Sequence, residues 1–155
     1  MLLLKRSKSG NYELSDKTLA VELSGRTIKL GDNTIDTPGE YEQGGVEIIY
    51  ANNAVLLVWD HLQINYVFSN SPPDAFEKNQ FSSTDILLLS EDIASIGKDK
   101  LAVLTNVYDP RAVIFGSKTE IDSSYREIIK PIEEPTVKLN AQALPMEGRD
   151  YSVLI

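Results

Sequence analysis

Three apolar runs joined by short polar turns constrain this chain more than any other feature. They are Val46-Glu-Ile-Ile-Tyr50, Ala54-Val-Leu-Leu-Val-Trp59 and Leu62-Gln-Ile-Asn-Tyr-Val-Phe68, punctuated by Asn52-Asn53 and Asp60-His61. Runs this close can pair only as antiparallel neighbours, because a parallel pair needs a crossover of a dozen or more residues. The middle of the chain is therefore expected to be a meander of three strands. Ala54 to Trp59 contains no charged residue. A strand of that kind is buried on both faces, so a layer must cover each side.

The flanks extend the pattern. Leu2 to Lys5 reads as a first strand and Ser9-Gly10-Asn11 as a turn. Thr18–Leu23 and Arg26–Leu30 flank Ser24-Gly25, which is a hairpin signal. Leu19, Val21 and Leu23 alternate with Ala20 and Glu22, so this strand has one wetter face. Gly31-Asp32-Asn33 turns the chain again. After the meander, Ser71-Pro72-Pro73 breaks the sheet, and Asp74 is placed to cap a short helix through Lys78. Asp85–Leu89 and Arg111–Phe115 read as buried strands, with a helix from Lys98 to Val107 between them that Asp109-Pro110 stops. The spacing predicts another helix over Ile121–Ile129, ended by Lys130-Pro131, then strands at Thr136–Leu139 and Tyr151–Ile155. The sequence has no internal repeat, low-complexity tract or interdomain linker. At 155 residues the expectation is one domain over 1–155 of the α+β class. The expected core is Ile48, Val55, Leu57, Ile64, Ile86, Leu88, Val113 and Phe115.

Charge and composition narrow the functional classes. The formal net charge is −8. Such a surface repels phosphate backbones and anionic lipid, so neither nucleic acid nor membrane is an expected partner. Lys5-Arg6 with Ser7-Lys8-Ser9 reads as a solvated strand end. There is no cysteine, which excludes disulfides and thiolate chemistry. Met1–Arg6 has its apolar residues before its basic ones, the reverse of a secretory signal, so the expected setting is the cytoplasm.

Chemistry-bearing motifs are scarce. A carboxylate cluster at Asp36, Glu40 and Glu42 could hold Mg²⁺ or Ca²⁺, which favour oxygen ligands; the plainer reading is a solvated face. Around it, Pro38-Gly39 suggests a type II turn and Gly44-Gly45 a bend into the Val46 strand, so the segment also reads as a corner between strands. His61 is the one histidine and falls in a hairpin turn, where Asp60 is a poor orienter for it. No Gly-x-Ser-x-Gly elbow is present. Gly116-Ser-Lys-Thr119 follows a strand as a phosphate loop would, yet Arg111 stands where that loop needs its first glycine.

The order of several segments resembles one family. Pro38-Gly-Glu-Tyr-Glu42 with Gly45-Val46 comes first, then the hairpin Val55–Val58, Asp60 and Leu62–Phe68. Asp85-Ile-Leu-Leu-Leu89, Pro110–Phe115 and Val137–Pro145 complete the series. Together they resemble the metallo-β-lactamase superfamily, in the branch of small hydrolase-like proteins similar to ascorbate-phosphate lactonases. The resemblance covers about Thr34 to Ile155 and leaves residues 1–33 as a reduced N-terminal part of short strands. It implies a shortened sandwich of two mostly antiparallel or mixed sheets with a few covering helices.

The resemblance also implies an absence. Enzymes of that family hold two metal ions through His-x-His-x-Asp-His, a later histidine, a bridging aspartate and a final histidine, and the ions ionise a bound water. One histidine is too few for that motif. Phe68-Ser69-Asn70 stands where the bridging aspartate is expected, and Gly116-Ser117-Lys118 where the final histidine is. The expectation is a protein without metal or other cofactor, acting as a binding, structural or assembly subunit, including one that complements a separate catalytic chain. The alternative is a hydrolase of this superfamily using a non-standard site. The family's sandwich carries helices on both outer sides, and two or three short helices are too few for that. This predicts an assembly, most simply a homodimer, unless Leu2–Leu30 folds over the gap.

Overall fold

The structure is a computed structural model and describes residues 1–7, 11–91, 93, 95–116 and 119–154. The expected Ser9–Asn11 turn lies largely outside the described residues, as do Ser117, Lys118 and Ile155. The chain opens with five short strands, β1 (Leu2–Arg6), β2 (Tyr12–Ser15), β3 (Ala20–Ser24), β4 (Thr27–Leu30) and β5 (Asn33–Ile35). Four more follow as β6 (Gly39–Gln43), β7 (Val46–Tyr50), β8 (Ala54–Trp59) and β9 (Leu62–Val67). Helix α1 (Ala75–Gln80), strand β10 (Ile86–Leu89), the two-residue strand β11 (Ser95–Ile96) and helix α2 (Lys98–Tyr108) come next. Strands β12 (Ala112–Gly116), β13 (Glu120–Ile121), β14 (Ile129–Ile132), β15 (Thr136–Leu139) and β16 (Asp150–Leu154) complete the chain.

These strands form two large sheets and one small pair. The first sheet has the order β15-β1-β2-β3-β4-β5 and is antiparallel throughout. The second has the order β14-β16-β12-β10-β9-β8-β7-β6. Its β6–β9 side is the antiparallel meander read from the sequence, and its β9-β10-β12-β16-β14 side is parallel. The parallel pairs β9–β10 and β10–β12 are each bridged by a helix, as parallel neighbours require. Strands β11 and β13 pair separately.

Two cores follow from this arrangement. One lies between the sheets and joins Leu4, Leu14, Val21 and Ile28 of the first to Val55, Leu57, Ile64 and Leu88 of the second. The other lies on the far face of the large sheet, where Leu56, Leu87, Val113 and Phe115 meet Leu101, Leu104 and Tyr108 of α2 and Phe81 after α1. All eight residues expected in the core are at most 1% exposed. The molecule is thus an α+β sandwich with layers sheet, sheet and helix.

The layer count revises the argument about missing helices. Strand β8 is indeed covered on both faces, by the first sheet and by the helical layer. The first sheet alternates instead. Val21 and Leu23 are buried while Ala20 is exposed and Glu22 half-buried; Ile28 and Leu30 are buried while Lys29 is exposed. A sheet with one wet face needs no helix on that face. The N-terminal strands, joined by β15 from the other end of the chain, therefore serve as the lid.

The predicted helix over 121–129 is absent. Asp122 accepts from the Ser124 backbone N–H at 2.9 Å and caps a single 3₁₀ turn, Ser123–Tyr125. Such a local side-chain bond offers the backbone an alternative to continuing a helix. Ile129–Ile132 then runs as β14, parallel to β16, with Pro131 inside it. Proline lacks an N–H and is tolerated there because β14 is an edge strand. No helix among the described residues is long and apolar enough to cross a membrane.

Candidate functional site

The strands β9, β10 and β12 are parallel neighbours, so their carboxyl ends lie side by side. Crevices outside the carboxyl ends of parallel strands are the usual ligand sites of such sheets. The residues at those ends are Phe68-Ser69-Asn70, Ser90-Glu91 and Gly116.

This end is filled by the chain itself. The Arg6 guanidinium reaches across from β1 and pairs with Glu91, with Nη2 at 3.0 Å from Oε1 and 3.3 Å from Oε2. The Glu91 side chain is only 8% exposed. It lies directly over Gly116, where an added Cβ would come within 2.3 Å of Glu91 Cγ. Only a residue without a side chain leaves room for the glutamate here. Asn11 Oδ1 accepts from the Ser90 hydroxyl at 3.5 Å and the Glu91 N–H at 3.4 Å. Beneath them, the Tyr12 hydroxyl donates to the Leu89 carbonyl at 2.7 Å, and burial raises its pKa well above the ordinary phenol value. A neutral phenol bonded to a backbone carbonyl is a structural group, poorly suited to proton transfer at neutral pH.

Side chains of neighbouring elements also pack around the β9 end, beside a depression of about 230 Å³ lined by Asn70, Pro72, Lys100 and Leu104. Phe68 is buried against Tyr50 and Tyr66, with ring centroids 5.4 and 6.3 Å away. The Arg26 guanidinium lies 4.9 Å over its ring, within cation–π range. Asn70, which follows, accepts from Lys100 Nζ of α2 through both its carbonyls. The residues at the expected bridging-aspartate position therefore pack and tether a loop.

The other candidates lie elsewhere. Asp60 and His61 form the β8–β9 turn with φ of 53° and 63°, the left-handed pair of a two-residue hairpin. His61 is exposed there, at the amino end of β9 and so at the opposite end of the strand from Asn70. A shallow depression of about 320 Å³ beside it is lined by Met1, Asp60 and Asn140–Gln142. Asp36 sits in the bend between β5 and β6, which carries the chain from one sheet to the other. The segment is a corner between strands, as expected, but Gly39 has φ of 154° and opens β6 directly, which is not the geometry of a type II turn. Glu40 and Glu42 are exposed on β6. Among the described residues no group of three or more His, Asp or Glu side chains converges in a way that could hold a metal ion. Asp36, Glu40 and Glu42 accordingly do not form such a group.

Sequence reasoning missed two features. Arg6, read as part of a solvated strand end, is the partner of Glu91, 85 positions away. Glu77 of α1 is fully buried, and among the described residues no cation pairs with it. Its carboxylate accepts from the Asn53 N–H at 3.0 Å, Asn53 Nδ2 at 2.8 Å and the Asp74 N–H at 3.0 Å, tying α1 to the β7–β8 turn. The Asp74 and Glu77 pair is a reciprocal capping box. That signal, Asp-x-x-Glu before a short helix, was readable in the sequence.

Two depressions adjoin each other on the outer side of the β6–β7 hairpin. One, about 270 Å³, is lined mainly by Pro38, Ile49, Tyr50, Ala51 and Phe76, with Glu40 and Asp74 beside them. The other, about 440 Å³, includes Glu40, Glu42, Glu47 and Ile49.

Among solved structures, this chain is similar to a Thermotoga maritima protein assigned as a zinc-dependent hydrolase of the metallo-β-lactamase superfamily. The TM-score is 0.71 at 10% sequence identity, and the match spans 99% of this chain and 98% of that one. At that identity the likeness is one of fold. No protein-family model and no curated protein matches the sequence.

Proposed function

We propose that this protein is a non-catalytic chain on a metallo-β-lactamase-like fold, free of metal and other cofactors, that works by binding another protein chain. The observation that carries this reading is Glu91 seated over Gly116 and paired with Arg6. In the family the sequence resembles, metal ligands follow these same strands. Here the space holds an internal ion pair, and the one histidine stands at the opposite end of β9. The simplest partner is a second copy, giving a homodimer. The chain acts as a single folding unit in the cytoplasm on this reading, and one cooperative melt is expected.

Metal content and hydrolysis test the proposal together. After metal-free purification and reconstitution with zinc, iron or manganese, the expected metal content is far below stoichiometric. Phosphodiester and ester substrates are expected to be turned over no faster than in buffer. Stoichiometric uptake, or hydrolysis that co-purifies with the protein and is lost on mutation of a named residue, overturns the reading in favour of a hydrolase with a non-standard site. Light scattering across a dilution series decides the homodimer, for which a monomer mass at every concentration is the contrary result.

A further inference from the structure

The outer face of the β6–β7 hairpin carries three exposed glutamates. Glu40 and Glu42 stand two positions apart on β6, so their side chains leave the same face of the sheet. The register sets Glu47 directly opposite Glu42 and Ile49 opposite Glu40. All three glutamates are exposed, and among the described residues none of them joins an ion pair. Like charges directly across a sheet disfavour the pairing, so a cation brought here relieves a repulsion the hairpin already contains.

Four further observations say what kind of cation carrier fits. Strand β6 ends the large sheet, which leaves one side of its backbone without a strand partner among the described residues. The acidic shelf runs into the apolar groove, since Glu40 and Ile49 line both. Phe76 at the groove is 49% exposed, although its ring also packs on Phe81. Among the described residues no basic one lines either depression. An extended segment beside β6 would place alternate side chains about 4.5–5.5 Å from Glu40 and Glu42.

We propose that this edge docks an extended basic segment of a partner protein. The segment lies along β6 with its Lys or Arg side chains facing Glu40, Glu42 and Glu47, and seats one apolar side chain in the groove beside Phe76. A second copy offering its own β6 does not fit, because glutamate would face glutamate. The contrary reading is that the glutamates only guard a sheet edge against aggregation. The proposal deepens the binding role proposed above. Metal and hydrolysis assays test that role without touching this edge, so the two fail separately.

The test is selection from a display library of random-sequence ten-residue peptides on the whole protein. The expected result is enrichment of segments with two or more Lys or Arg at alternate positions beside an apolar residue. Synthetic copies of the enriched peptide should move backbone amide signals of β6 and of the residues around Phe76. Their affinity should fall about tenfold in the Glu40→Lys/Glu42→Lys variant, the size expected for a few rim charges together. It should also fall in Phe76→Ser, which removes the apolar contact and leaves the charges. Raising the salt should weaken binding. Thermal melts of both variants establish that they fold. No enrichment, enrichment of acidic or purely apolar peptides, amide shifts confined to another surface, or oligolysine binding as tightly as the selected peptide would each overturn the proposal.

Discussion

Two ends of the large sheet use the same kind of side chain for opposite purposes. At the carboxyl ends of β9, β10 and β12, Glu91 is buried, paired with Arg6 and packed on Gly116. At the β6 edge, Glu40, Glu42 and Glu47 are exposed, and Glu42 faces Glu47 across the hairpin. The first arrangement closes a place where parallel strands would offer a crevice. The second keeps open a charged edge that another chain can reach. A carboxylate removed from water must be matched, and matching it consumes its capacity to act on a ligand. A carboxylate left in water keeps that capacity at the cost of a few tenths of a kcal/mol of repulsion.

The largest change should come from the strands that hold both ends in place. Leu88→Ala and Val113→Ala are each expected to lower stability by about 2–4 kcal/mol in a denaturant melt, through lost burial and the cavity left behind. Leu88 faces the core between the sheets and Val113 the core under α2, so the pair probes both layers. Neutral results at both would contradict the placement of β10 and β12 at the centre.

Breaking the closed end should cost less. Glu91→Ala leaves Arg6 without this carboxylate, and the expected loss is about 1–3 kcal/mol. It stays below the figure for a fully buried pair because the Arg6 side chain is 31% exposed. Gly116→Ala should destabilise the native background, and much less so when Glu91 is already alanine, since its methyl then enters the space the glutamate vacated. Additive losses in that double-mutant cycle would show that the two residues do not share the site as described. The matching change at the open edge, Glu40→Ala, should shift stability by no more than about 0.5 kcal/mol.

Glu77 supplies a pH-dependent comparison between buried and exposed acids. Burial raises its pKa above the ordinary 4.5, while the N–H donors of Asp74 and Asn53 pull it back only in part. The folded chain therefore holds this proton more tightly than the unfolded chain. Its contribution to stability is fully present below the ordinary value and is lost as pH rises through the raised one. Glu77→Gln should remove that loss, so the variant gains on the parent as pH rises above the ordinary carboxylate value, whatever constant offset its altered hydrogen bonds introduce. Parallel stability curves for the two proteins would show that Glu77 titrates normally.

The smallest effect belongs to the edge. Glu42→Lys replaces a like-charged cross-strand pair with an opposite one, and a gain of about 0.2–1 kcal/mol is expected at low salt. The gain should shrink as salt is added. No gain would mean that the Glu42 and Glu47 side chains already avoid each other in solution.

Much of the fold was legible because it is written in short-range signals. The Asp60-His61 turn, the Ser24-Gly25 hairpin and the Asp74 cap each involve residues within a few positions of one another, and all three stand where the sequence placed them. The helix expected at Ile121–Ile129 had helical apolar spacing, but Asp122 capped a tighter turn and Ile129–Ile132 paired with β16 at the edge of the parallel side instead. Nothing in a pattern of apolar residues reveals that a free edge is available.

The sequence by itself determined the meander, the doubly buried strand β8 and the impossibility of a multi-histidine metal site, since these depend on local periodicity and on counting. Only the tertiary structure decided that Arg6 meets Glu91, that Gly116 makes room for it, and that Glu42 faces Glu47 across a hairpin beside an exposed Phe76. The reason is register and layer order. A turn is fixed by its own dihedrals, whereas a pairing across 85 residues is fixed by which sheet lies over which, and by the one alignment that buries every apolar face at once.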